Sequence, residues 1–339
     1  MHGTHLFTRL NYTKGISVVI PNYNGSVLLP LILPPLFDAL KKTKLGYEII
    51  ISDDCSTDNS VSFLQKYFPE IILLQSNSNK GFSPTINKGV FIARYDYVLL
   101  LNSDVKLSEN YFENLLPYFD DKNTFGVMGR ITGWDDNQIQ DGGKYPSFHG
   151  VKIKTNGNYI PLSSKSEDRL YSMYLSGANA FVSREKFNTL GGFDELFAPF
   201  YVEDFELCLR AWRLGWKCYY EHNAICRHQI STTIKSKSSK NFVKAIYRRN
   251  KMFLHAIHLS KNKIFLWYLQ LLPEMLLHLI TGRLWFFESL KMFFSLQKEI
   301  KLSKRNFEQL QKQKNIFLNV GDVVNNIILS LKKISLKKI

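Results

Sequence analysis

"ISVVIPNYNG", residues 16–25, is a short run rich in Ile and Val that stops at Pro21, Asn22, Tyr23 and Asn24. A β-branched run this short, closed by turn-forming residues, predicts a buried strand and not a helix. The same pattern recurs downstream in "YEIIISDD" (47–54), "IILLQS" (71–76) and "YVLLLNSD" (97–104). Amphipathic segments at 27–44, 61–67 and 84–94 separate these runs. Strands returning about every 25 to 30 residues with helices between them predict an α/β fold with a Rossmann-like, mostly parallel central sheet flanked by helices. Right-handed crossovers then bring every strand C-terminus to one edge, where ligands of open α/β sheets bind. The polar clusters Pro21-Asn22-Tyr23-Asn24, Ser52-Asp53-Asp54, Ser76-Asn77 and Asn102-Ser103-Asp104 all fall there. Ordinary turns and helix caps explain any one of them taken singly.

The chain of 339 residues is 45% apolar, enough for a packed core, and has room for roughly two domains. Its four cysteines show no paired spacing, and the first 15 residues are polar, so a reducing, cytoplasmic location is expected. The net charge of +15 is concentrated at one end. From residue 235 onward, 21 Lys and Arg face 5 Asp and Glu, whereas the first 234 residues carry 23 and 24. The expected organisation is a tail at 1–15, a catalytic domain at 16–234 and a basic, apolar helical region at 235–339. In that region "KNKIFLWYLQLLPEMLLHLITGRLWFFESLKMFFSLQK" (261–298) is dense in Leu, Phe and Trp, and Pro273 is expected to kink or end a helix. No run there reaches the roughly 18 charge-free residues of a spanning helix. The expectation is a helix pair lying on the inner-membrane surface, its cations on anionic headgroups. Packing onto the first domain or onto a second subunit, as in a homo-oligomer, is the alternative.

Several residue types suggest chemistry. Asp54, at the end of the second strand, suits the N3–H of a uracil or thymine ring, with Asn22 and Tyr23 shaping the pocket. "NKGFSPTINKG" (79–89) places a glycine turn at a helix start, a backbone able to approach a nucleotide closely. The chain contains neither GxxxxGK[ST] nor GxGxxG, so nothing supports a P-loop or a dinucleotide site. Asn102-x-Asp104 offers two oxygens at alternate strand positions for a hard divalent cation, or else a helix cap. His228 could complete such a metal site; His222 competes, but "QISTT" after His228 suits a loop closing over a donor. In "FYVEDFELCLRAWRLGW" (200–216), Glu203 and Asp204 sit among aromatic residues at the start of a helix. That setting raises a carboxyl pKa toward the range of a general base. Arg210 and Arg213 are expected to face solvent or pair with Glu206.

In their order, "ISVVIPNYNG", "IISDDCSTDNS", "NKGFSPTINKG", "VLLLNSDV", "SGANAFVSREKFNTLGGFDELFAPFYVEDFELCLRAWRLGW" and "RHQISTT" resemble family 2 glycosyltransferases of the GT-A fold, most of all the rhamnosyltransferase-like members. The likeness runs over residues 16–233 and implies an inverting, metal-dependent transfer from a nucleoside diphosphate sugar. It implies that Asp54 is the base-binding acid, with Asp53 near the ribose and Pro21, Asn22, Tyr23, Lys80, Gly81, Asn87 and Ser103 around the donor. Asp104 and His228 correspond to the metal ligands for Mn2+ or Mg2+; Asn102, standing where an aspartate is common, is left to the ribose or a water. Asp204 corresponds to the catalytic base and Glu203 to its companion, while Gly177, Ala178 and Asp194 face the acceptor. The implied partners are a UDP- or dTDP-sugar and a glycan or lipid-linked oligosaccharide acceptor.

Rival readings are weaker. A processive synthase would carry QxxRW and several spans, where this chain has "RAWRLGW". A nucleic-acid binder built on the basic run at 235–249 would leave the front half without purpose, so no nucleic-acid partner is expected. A homologue that binds donor without turnover is motivated by Asn102.

Overall fold

The computed structural model describes residues 13–163, 169–229 and 239–339. The four runs become β1 (Thr13–Asn22), β2 (Gly46–Asp53), β3 (Ile72–Gln75) and β4 (Tyr95–Leu101), parallel and in spatial order 3-2-1-4. Helices α1 (Leu29–Lys42), α2 (Ser60–Tyr67) and α3 (Phe82–Ile92) make the crossovers. Ile16, Val18, Val19 and Ile20 are all fully buried, because helices cover both faces of this part of the sheet.

Past β4 the sheet becomes mixed. The chain continues through β5 (Val105–Leu107), α4 (Tyr111–Leu115), β6 (Thr124–Gly133), β7 (Ile139–Asp141), β8 (Gly143–His149), β9 (Lys152–Pro161), β10 (Leu170–Tyr171), β11 (Asn179–Ser183), α5 (Arg184–Thr189), α6 (Glu203–Arg213) and β12 (Lys217–His228). Strand β11 runs antiparallel between β4 and β6, and β12 runs parallel to β6. This ten-stranded sheet carries the residues between Asn102 and His228 back to the edge that β1, β2 and β4 already define.

The last third is α7 (Lys240–His258), α8 (Lys261–Ile280), α9 (Trp285–Ser295), α10 (Gln297–Lys314), α11 (Val320–Leu331) and β13 (Leu336–Lys338). The expected boundary near residue 235 falls outside the described residues. Beyond it, Phe253, Phe293, Phe307 and Val324 belong to one apolar core with Val19 and Leu100 of the sheet. Strand β13 adds an edge to the β8–β9 hairpin. The helices therefore pack on the first domain, which was the alternative to membrane contact alone.

Helix α8 departs from expectation in two ways. It runs unbroken through Pro273, and at 20 residues it is long and apolar enough to cross a membrane by length and composition. Its one acidic residue, Glu274, pairs with both Lys152 and Arg248. With Trp267 and Leu271 buried and Gln270 donating to His149 O (3.0 Å), one side of α8 is docked. Phe265, Leu269, Leu272 and Leu276 are exposed.

Candidate functional site

The ends of β1, β2 and β4 open onto a cleft of about 430 Å³ lined by Pro21, Asn22, Tyr23, Asp54, Gly81, Asn102, Ser103 and Asp104. Pro199, Phe200 and, from α7, Phe242 complete its wall. Asp54 is buried, and its two oxygens accept the backbone N–H groups of Lys80 (2.8 Å) and Gly81 (2.9 Å). A carboxylate that anchors this loop keeps further lone pairs for the cleft. Gly81 has φ 89°, and a Cβ there would lie 2.6 Å from Pro199 Cα. Phe82 N donates to Pro199 O (2.9 Å). The glycine thus serves the approach of α3 to the 199 loop; it lines the cleft as the close backbone approach expected there requires, while the amides of Lys80, Gly81 and Phe82 are bonded to protein.

Asp53 does not line the cleft. Successive residues at a strand end face opposite sides, and Asp53 accepts from Asn22 Nδ2 (2.7 Å) and Ser56 N (2.9 Å), tying β1 to the loop after β2. Asn87 is also elsewhere: it donates to Phe193 O and accepts from Phe193 N (both 2.9 Å), clamping the turn whose Gly192 has φ 75°. Asp194 accepts from Leu196 N (3.0 Å) and lines a separate cavity with α10, away from Asp204. Lys80 meets Asp54 through its backbone N–H and lines a neighbouring cavity with Asn87 and Glu195.

At the far end of the cleft, β4 delivers Asn102 and Asp104. Both side-chain Oδ1 atoms are buried with no hydrogen-bond partner among the described residues. His228, at the end of β12, holds Nε2 3.5 Å from Asp104 Oδ2. Gln140 Oε1 lies 2.9 Å from its Nδ1, so with the proton on Nδ1 the Nε2 lone pair faces Asp104. Among the described residues no cluster of three His, Cys, Asp or Glu forms a cage. An unsatisfied carboxylate oxygen beside an oriented imidazole fits a hard divalent ion. "QISTT" after His228 lies largely outside the described residues. His222 is spent on Arg130 (2.9 Å) and Tyr220 (2.8 Å), and burial holds it down to about 4.

Helix α6 starts with Glu203, Asp204 and Glu206 in its first turn and ends with Arg210 and Arg213, as the helix dipole favours. Tyr201 and Val202 before it have φ 75° and 74°, a costly left-handed pair for side chains of this size. Burial raises the Asp204 carboxyl, although the Phe205 amide (2.7 Å), Lys144 and the Gly177 amide oppose it. Glu203 is raised as well, first by burial and then by the neighbouring Asp204 charge. Gly177 lies between Asp204 and the cleft, where a Cβ would come 3.0 Å from Phe82 Cζ. Ala178 O accepts from Asn102 N (3.1 Å), so the Gly177-Ala178 segment links Asp204 to the corner of Asn102, Asp104 and His228.

Glu206 faces away from the cleft. Arg210 grips it with Nε at 2.8 and 2.9 Å and Nη2 at 2.8 Å, and His258 of α7 adds 3.1 Å. Both arginines are drawn inward: Arg213 donates to Leu318 O (3.0 Å) and Gln311 (3.2 Å). Sequence reasoning missed Lys144, a buried cation on Asp141 and Asn158, and missed Gln140 and Phe242, which fall in no recognisable spacing.

The model of glycosyl transferase family 2 matches residues 17–191, a little over half of the chain. An O-antigen chain rhamnosyltransferase, WbaN, of Salmonella anatum is 26% identical over 68% of this chain and 71% of its own. A chondroitin synthase of Pasteurella multocida (strain Pm70) is 24% identical over 78% of this chain, which spans only 29% of that protein. Among solved structures, GalNAc-T7 with UDP, GalNAc and Mn2+ superposes with TM-score 0.67 at 15% identity, over 95% of this chain and 58% of that one. That likeness shows a shared fold, the GT-A arrangement.

Proposed function

The chain belongs to glycosyltransferase family 2, and on that premise we propose that it moves one sugar from a UDP- or dTDP-sugar to a hydroxyl of a lipid-linked surface glycan, inverting the anomeric centre. The observation that carries this is Asp204, a carboxylate with a raised pKa, linked through Gly177-Ala178 to the Asn102, Asp104 and His228 corner. Asp204 accepts the proton of the acceptor hydroxyl as its oxygen bonds to the anomeric carbon. The bond from that carbon to the diphosphate breaks on the opposite face, and the electron pair leaves with the nucleoside diphosphate. Asp104 and His228 would hold Mn2+ or Mg2+, which offsets the charge of the leaving diphosphate. Asp54 and Asn22 would take the nucleotide base, and Gly177 leaves space for the acceptor.

The rhamnosyl transfer named for the Salmonella relative and the UDP and Mn2+ held by GalNAc-T7 favour these donors and this metal. The exposed leucines of α8 favour a peripheral seat on the cytoplasmic face of the membrane, near a lipid-linked acceptor. In the basic run, Arg248 and Arg249 are committed to Glu274 and to Ala198 O, which argues against a nucleic-acid role.

The test is hydrolysis and binding of a panel of UDP- and dTDP-sugars with Mn2+, Mg2+ or EDTA, on wild type and Asp204→Asn. Metal-dependent turnover that the variant loses while still binding donor supports the proposal. Binding without turnover by the wild type, even with lipid-linked acceptors, would instead favour a homologue that only binds donor.

A further inference from the structure

We propose that Asn250, supported by Arg249, is a positioning residue through which the C-terminal helices fix the loop that presents the catalytic base. This rests on the reading of Asp204 as that base. The Asn250 side chain is fully buried on α7, and its Nδ2 reaches Phe197 O (2.6 Å), Phe200 O (3.0 Å) and Tyr201 O (2.8 Å). Two N–H protons thus serve three carbonyls of one loop. Arg249 Nε donates to Asn250 Oδ1 (3.0 Å), fixing which way the amide points, and Arg249 Nη2 donates to Ala198 O.

The loop needs such a hold. Tyr201 and Val202 both lie in the left-handed region, and together they turn the chain into Glu203 and Asp204. A bulky residue in that region is strained and persists only where its surroundings over-determine it. Here the surroundings come from α7. Tyr247 packs edge-on against Tyr201 (5.9 Å, 88°) and Phe253 against Phe197 (5.9 Å, 87°), while Asn250 takes the carbonyls between them. Phe200, in the same loop, also walls the donor cleft beside Phe242 of α7. One helix outside the family-matched segment therefore sets both the base and a wall of the cleft.

The experiment compares wild type, Asn250→Leu, Arg249→Lys and Asp204→Asn. The substrate is whichever of UDP-glucose, UDP-N-acetylglucosamine, UDP-galactose and dTDP-rhamnose the wild type hydrolyses fastest with Mn2+. Asn250→Leu keeps the size but leaves three carbonyls without their donor. Its kcat should fall roughly 10- to 100-fold, the cost of misplacing a reacting group by about 1 Å. KM and the calorimetric affinity for UDP with Mn2+ should change far less than kcat, since Asn22, Asp54 and Asp104 stand on the sheet edge and only the Phe200 wall of the cleft hangs on Asn250. Hydrogen exchange of the amides at 200–206 should accelerate, and Arg249→Lys should show both effects more weakly. The inference is overturned if kcat stays near wild type, if the loss lies in KM alone, or if exchange at 200–206 is unchanged. Should Asn250→Leu fail to fold, Arg249→Lys decides by the same readouts. Wild-type kcat in Asp204→Asn would sink the base assignment itself. Loss of turnover there beside wild-type behaviour of Asn250→Leu would sink only the role of Asn250.

Discussion

Glu203 and Asp204 are adjacent, and a pair of substitutions separates their roles. Burial pushes Asp204 up from an ordinary 3.8 to about 6, and pushes Glu203 up to about 8, the Asp204 charge adding to the second shift. Two adjacent buried carboxyls repel, so the pair favours one charge and one proton, and the reading of Asp204 as base puts the charge there. A base must be deprotonated to work, so turnover is high above pH 6 and is lost as pH falls through it. As Asp204 takes up its proton, the rate should drop roughly several-fold to tenfold between pH 7 and pH 5. A carboxylate at 3.8 would lose almost nothing over that interval. Lys144 and Asp141 face Asp204 with opposing effects, so neither cancels the rise from burial. Glutamine is the neutral isostere of protonated glutamate, so Glu203→Gln should keep kcat within a few-fold and leave the acid limb where it was. Asp204→Asn should lose about 10²- to 10⁴-fold. The assay is initial-rate donor turnover from pH 4.5 to 8.5, with UDP affinity in Mn2+ measured at each pH to remove binding effects. A profile flat to pH 4.5, or Glu203→Gln as damaging as Asp204→Asn, would refute the reasoning.

Asp104→Ala and His228→Ala should each abolish most Mn2+ binding seen by calorimetry with UDP present, and Gln140→Leu should weaken it about tenfold by freeing the imidazole to turn. Arg210→Met strands a buried Glu206 and should cost about 3 to 5 kcal/mol in denaturant unfolding, most of it recovered in the double variant with Glu206→Gln. Because Glu206 is held down to about 2, with burial opposed by the Arg210 charge, its stabilisation is present above the ordinary 4.5 and is lost as pH falls below that toward 2. Unfolding that gains stability on acidification across that window would contradict this assignment. Leu272→Lys with Leu276→Lys should reduce flotation with anionic vesicles while leaving Tm unchanged, since both leucines are 59% exposed. Flotation unaltered by the pair would remove α8 as the membrane contact.

The parallel strands were legible because each is a short apolar run of Ile, Val or Leu closed by polar residues, and β1, β2, β3 and β4 fall within a few residues of the expected positions. Their polar ends marked the cleft for the same reason. What could not be read depends on contacts between residues distant in the chain. Strand β11 enters between β4 and β6 through antiparallel pairing that no local pattern specifies. Alternation along a strand says that Asp53 and Asp54 face opposite sides, but which one meets the cleft depends on the loop at Lys80 and Gly81. Asp194 looked like an acceptor ligand beside two glycines; it caps a short helical turn. Asn250 carries no motif, and its importance appears only where three carbonyls converge on it.

The Glu206, Arg210 and His258 contact, with Arg213 reaching Gln311 and Leu318, stitches α6 to α7 and α10. This constrains how such a protein can diversify. Grafting a new tail at residue 235 would transplant one half of a shared network and leave the other half unpaired, so this third of the chain is not a cassette. The outer leucines of α8 take no part in that network, and a lineage could rewrite that exposed face one side chain at a time without disturbing α6.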